Sequence, residues 1–195
     1  MLVWKAYSRM LDALAFSPDG RALAIGGYHL ACRLIDAATG APLWTVKSGS
    51  TFGLSLAFMS DGAVLCREGS ALIRPPGGAP YRLGAGVSIR SAADGAKVRH
   101  CGRWCQSFGP APGGCTVFVA DGGHLDLVRR YDLRDGEPTG EVELEAGVIN
   151  RIAVSPGGTV VAAVGTKQFS LLNADTLAVV ASDAQRALSD RKSVV

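Results

Sequence analysis

His100, Cys101, Cys105 and Cys115 fall within sixteen residues, and all four side chains belong to types that bind zinc. Their spacing, Cys-x3-Cys-x9-Cys, is that of neither a zinc finger nor a zinc ribbon. Cys105 and Cys115 lie in stretches that read as adjacent strands, where small apolar residues are expected, so the set reads as buried structural thiols with no metal. His124, in the segment Asp121-Gly122-Gly123-His124-Leu125-Asp126, could form an acid–base pair with either carboxylate. That segment joins two strands and is rich in glycine, so it reads as a solvated turn. No Gly-x-Ser-x-Gly elbow and no Gly-x-x-x-x-Gly-Lys-Ser/Thr phosphate loop occurs. The expectation is a chain with no catalytic residue and no cofactor.

The elements that carry these residues are strands. With 195 residues, 48% of them hydrophobic and 19% charged, the chain can bury a sizeable core, and its composition is not that of a disordered protein. The 25 glycines and 9 prolines suit many short elements joined by turns. A net charge of +3 gives no basic stripe for nucleic acid, since Arg129, Arg130 and Arg134 sit among Asp126, Asp132 and Asp135. No window approaches a membrane span, the first residues are not those of a secretory leader, and the five cysteines are odd in number. A reducing cytoplasmic compartment, without nucleic acid or membrane as partner, is expected.

The stretch 12–26 sets the pattern. Leu14 and Phe16 alternate with Ala13 and Ala15, and Leu23 and Ile25 alternate beyond the turn Ser17-Pro18-Asp19-Gly20. Pro18 presets φ, Asp19 can close an Asx turn, and Gly20 accepts a positive φ. Weaker copies follow at Leu54–Phe58 with Ala63–Cys66, at Trp104–Phe108 with Cys115–Ala120, and at Ile149–Val154 with Thr159–Val164. In each unit a third strand ends at Asp36, Ser91, Asp132 or Asn173, just before a further turn. Those positions are 55, 41 and 41 residues apart. A period near 41 with four strands per unit is that of a propeller blade, and the longer second interval matches an insertion around 75–86.

The hairpin Ala15 to Gly20, with partial copies at Ala57 to Gly62 and Ala153 to Gly158, resembles the blades of WD-repeat β-propellers. The resemblance covers roughly residues 2–182. In place of the family's Trp-Asp pair stand Ile35-Asp36, Arg90-Ser91, Tyr131-Asp132 and Leu172-Asn173, and the Gly-His pair is absent unless Cys101-Gly102 is its remnant. The fold expected is all-β, with four-stranded antiparallel blades, about four in number, over approximately 12–47, 53–99, 104–144 and 148–182. An orphan strand at 2–7 precedes them and a polar tail at 183–195 follows. Propellers usually close with 4–8 blades, so three readings stay open: part of a larger propeller, association with further blades or with a second copy, and a closed ring of four.

The resemblance implies a non-catalytic scaffold that holds a protein partner. The alternative is the sensor or substrate-presenting part of a larger enzyme such as a kinase or protease. The insertion from Glu68 to Gly86 carries Arg74, Tyr81 and Arg82 among prolines and glycines and is the candidate partner-binding loop, because Tyr and Arg are common interface anchors.

Overall fold

A computed structural model describes residues 11–27, 30–47, 55–67, 71–73, 81–83, 86–102 and 104–184. The expected strand at 2–7, Arg74 and most of the polar tail lie outside the described residues. Among the described residues there is no helix, and so none long and apolar enough to cross a membrane. That statement leaves strand-built membrane barrels aside.

The described residues form four antiparallel sheets of four strands, a β-propeller-like fold. The first sheet runs in order through β1 (Leu11–Phe16), β2 (Ala22–Gly27), β3 (Leu30–Asp36) and β4 (Pro42–Lys47). The second begins with β5 (Leu56–Phe58) and β6 (Val64–Arg67). A separate hairpin of β7 (Ala71–Ile73) and β8 (Tyr81–Leu83) interrupts it before β9 (Val87–Arg90) and β10 (Lys97–Cys101) complete it. The third comprises β11 (Ser107–Pro110), β12 (Thr116–Ala120), β13 (Leu127–Asp132) and β14 (Pro138–Glu143). The fourth comprises β15 (Ile149–Val154), β16 (Val160–Gly165), β17 (Gln168–Asn173) and β18 (Val179–Ala184).

Two details differ from the sequence reading. Tyr81 and Arg82 lie on a strand rather than in an open loop, with Leu72 opposite Arg82 and Ile73 opposite Tyr81. Short runs of β-formers on each side of the proline-glycine stretch allow that pairing. The first strand of the third unit, expected at Trp104–Phe108, is Ser107–Pro110. Pro110 is accommodated because β11 is an edge strand, where a missing N–H interrupts no second ladder.

Residues opposite one another share a face of their sheet, so the pairings define two faces per sheet. The leading face, toward the preceding sheet, carries large residues on the innermost strand: Leu56 and Phe58, Phe108 and Pro110, Ile152 and Val154. The trailing face carries small ones there: Ala15, Ala57 and Gly109. Small meets large where sheets stack. A methyl group at Gly109 would come within 3.1 Å of Ile152 Cγ2 and 3.2 Å of Val154 Cγ2. Three apolar clusters fill the interfaces: Cys32, Leu34, Val64 and Cys66 in the first, Leu65, Ile89, Phe108 and Val119 in the second, and Phe118, Val128, Ile152 and Val161 in the third.

A polar contact repeats at the periphery. Trp44 Nε1 donates to the Ala92 carbonyl at 2.8 Å, Arg99 Nη1 to Leu133 at 2.9 Å, and Arg130 Nη1 to Ala174 at 3.0 Å. Each acceptor opens the turn between the third and fourth strands of the next sheet. Those turns end at Gly40, Gly95, Gly136 and Leu177, all with positive φ. In the first two interfaces a bulky outer side chain covers a glycine, Trp44 over Gly95 and Arg99 beside Gly136. The third interface exchanges the sizes. Leu177 fills the turn position, and Gly140 leaves it room, since a methyl there would lie 3.0 Å from Leu177 Cδ1.

The same turns make the fold sensitive to acid. Asp36 Oδ1 accepts from Ala38 N, Thr39 N and the Thr39 hydroxyl, and Asn173 Oδ1 accepts the corresponding three bonds from Asp175 N, Thr176 N and the Thr176 hydroxyl. The Thr39 amide is the main cause holding Asp36 below the ordinary carboxylate range, and the Arg134 side chain is the main cause bringing Asp132 to about 2. Both carboxylates are lowered in the folded state, so their contribution is complete above the unfolded pKa and is lost as pH falls through the folded one, which for Asp132 is about 2. Asn173 cannot titrate. Amide exchange at about pH 5 and about pH 2 should show the Arg134 amide, which donates to Asp132 Oδ1, losing protection while Asp175 and Thr176 keep theirs; equal loss would refute the assignment.

Candidate interaction cleft

A cavity of about 670 Å³ opens beside the end of β10 and runs along β13 and β14. Its floor is Tyr131, which is buried, with its ring over Gly102, where a methyl group would lie 3.4 Å from the phenolic oxygen. Gly102 has φ of 70°, a conformation that favours glycine and turns the chain out of β10. Trp104 forms one wall, packed on Gly122 and Gly123. A methyl group at Gly123 would be 3.4 Å from Trp104 Cδ1, so the paired glycines make room for the indole.

Asp121 organises the site. It is 5% exposed, and its Oδ1 accepts from Gly123 N at 2.7 Å and His124 N at 3.1 Å. Its Oδ2 is paired with Arg129 Nη1. Arg129 Nε reaches across to Glu141 Oε2 at 2.9 Å, and that hydrogen bond is the main cause raising the guanidinium above its ordinary pKa. Burial pushes the Tyr131 phenol up, against the opposite influence of Arg129. Glu137 and His124 stand exposed at the rim.

The expected solvated turn at 121–126 is thus partly buried: its first residue is a carboxylate that fixes the loop and neutralises Arg129. Both Asp121 oxygens are engaged, by two backbone amides and the guanidinium, and the contact to His124 is through its main chain. Sequence reasoning did not find Trp104, Arg129, Tyr131 or Glu141 as a group. The available signal was the opposed charge of Arg129 and Glu141, which the strand register places face to face.

The cysteines divide. Cys101 and Cys105 are buried, and burial pushes the Cys101 thiol up to about 12 and the Cys105 thiol upward as well. Cys115, read from the sequence as buried, is exposed because it precedes β12 rather than lying in it. Among the described residues no group of three or more His, Cys, Asp or Glu is arranged to hold a metal ion.

No family model matches the chain, and no curated protein matches it. Among solved structures, Kuenenia stuttgartiensis hydrazine synthase is similar with a TM-score of 0.66 and 17% identity, over 94% of this chain and 53% of that chain. The chain therefore spans about half the length of that protein, and at this identity the likeness shows the fold alone.

Proposed function

We propose that the chain is a non-catalytic protein-interaction scaffold of the WD-repeat type, working in a reducing cytoplasmic compartment, and that the cleft at Trp104 receives a basic segment of its partner. One observation carries this reading. The described walls hold three carboxylates, Asp121, Glu137 and Glu141, against one guanidinium already paired with two of them. A lysine or arginine side chain entering there meets exposed carboxylates and the face of an indole, two features that favour a cation.

The test is a displayed random-peptide library selected on the wild-type chain and counter-selected on Trp104→Ala, with thermal unfolding confirming that the variant folds. Enrichment of peptides rich in lysine or arginine, depleted by the counter-selection, is expected. Absence of any cleft-dependent sequence would overturn the proposal.

A second reading, the presenting part of a larger multidomain enzyme, draws support from the similarity extending over about half of a longer chain. It predicts that purified material retains the cleft but gains a reaction only when joined to a separate domain.

A further inference from the structure

Each innermost hairpin turns through four residues, 17–20, 59–62, 111–114 and 155–158, and every one of these turns ends in a glycine of positive φ. At two of the three sheet interfaces neighbouring turns touch. A methyl group at Gly114 would lie 2.5 Å from Ser60 Oγ, and one at Gly158 would lie 3.3 Å from Pro112 Cδ. The corresponding approach at the first interface is that of Pro18 to Gly62, and there a methyl group on Gly62 would have nothing within 4 Å. The first two sheets are parted at this point by a groove of about 340 Å³, against about 250 Å³ for its counterpart between the third and fourth.

The two grooves also differ in charge. Between the third and fourth sheets Arg130 lines the groove. Its Nε donates to Thr139 Oγ1 at 2.9 Å, its Nη2 to the Thr139 carbonyl at 3.2 Å, and its Nη1 to the Ala174 and Asp175 carbonyls. The turns beside it carry Gly113 and Gly157 at their third positions. In the first groove Leu34 stands two residues before Asp36, as Arg130 does before Asp132, and Leu43 follows Pro42, as Thr139 follows Pro138. The third turn positions are here Asp19 and Asp61, both exposed and both lining the groove, and Arg21 is the one described cation beside them. Each carboxylate uses Oδ1 within its own turn, Asp19 for Arg21 N and the Ser17 hydroxyl and Asp61 for Ala63 N, and the second oxygen carries no described bond. One groove thus holds a guanidinium between uncharged turns, and the other holds carboxylates on both walls over leucine.

We infer that the first groove takes an arginine side chain from a partner protein. Its methylenes lie along Leu34, Leu43 and Phe58, and its guanidinium meets Asp19 and Asp61. The partner supplies there what Arg130 supplies within the chain. Arginine suits the two walls better than lysine, because its planar fork reaches two acceptors at once. This groove shares no lining residue with the cleft at Trp104, so the inference stands independently of what that cleft binds.

Titration of the isotope-labelled full chain with the blocked peptide N-acetyl-Gly-Arg-Gly-amide, followed by amide NMR, tests this. Saturable shifts at Gly20, Gly62 and Ala92 are expected. Replacing the peptide arginine by citrulline, which keeps the shape without the charge, should weaken binding on the order of tenfold. The double variant Asp19→Asn with Asp61→Asn should weaken the arginine peptide to a similar degree, and it retains an oxygen for the amides of Arg21 and Ala63. Leu43→Arg, at a position 54% exposed, should also weaken it by placing a competing cation at the groove, whereas Trp104→Ala should leave it unchanged. The absence of saturable shifts at these amides overturns the inference. So does equal binding of the citrulline peptide, or binding undiminished in both groove variants.

Discussion

Gly95→Ala is expected to lower the unfolding free energy by about 3 kcal/mol, of which about 1 belongs to the backbone and the rest to crowding. Gly95 has φ of 73°, where a Cβ is disfavoured, and that Cβ would sit 2.7 Å from Trp44 Cε3 and 2.8 Å from Cδ2. The indole cannot simply swing aside, because its Nε1 is bonded to the Ala92 carbonyl at 2.8 Å. Relief would cost either that bond or the fit between the first two sheets. In a Trp44→Ala background the same substitution should cost only about 1 kcal/mol, the backbone share. Urea unfolding of the four proteins in the cycle measures the difference. Equal costs in the two backgrounds would show that the interface does not depend on this contact.

Asp121→Ala is expected to be of similar size, about 3 kcal/mol. It removes a buried carboxylate that serves two backbone amides and one guanidinium. The loss stays at the low end for a broken buried pair because the Arg129 side chain is 28% exposed and keeps Glu141. Asp121→Asn retains an oxygen for Gly123 N and His124 N and loses only the charge, so about half the loss is expected. If the two variants unfold alike, the turn bonds contribute nothing and the ion pair alone holds the loop.

Strands, turns and their period were legible in the sequence because each is a local property. Alternation at Leu14 and Phe16, the Ser17–Gly20 turn, and the 41-residue spacing from Ser91 to Asp132 to Asn173 report on residues close in the chain. The acid, amide or hydroxyl ending each third strand also has a local role, closing the turn that follows. What separates two sheets is not local. Alternation shows that Phe108 and Val119 share a face, but nothing near them says that Leu65 and Ile89 lie opposite. The Gly140–Leu177 exchange is hidden for the same reason: a glycine in a strand and a leucine at positive φ each look misplaced until they meet.

The cleft was harder still. It draws Gly102 from the end of one sheet, Trp104 from a connection, and Tyr131 and Glu141 from two strands of the next. Its key carboxylate, Asp121, looked like one more turn residue. The β7–β8 hairpin was obscured differently, because three residues on each side are too short a signal beside a stretch of prolines and glycines.

The proposed contact is between a basic side chain of a partner and the exposed carboxylates and indole of the cleft. Calorimetric titration of a lysine-bearing peptide selected on the wild-type chain tests it most directly, using Glu137→Lys, a charge reversal at the exposed rim. Weakening on the order of tenfold is predicted, with binding recovered when the peptide lysine is replaced by glutamate. Unchanged affinity for Glu137→Lys and Trp104→Ala alike would contradict it.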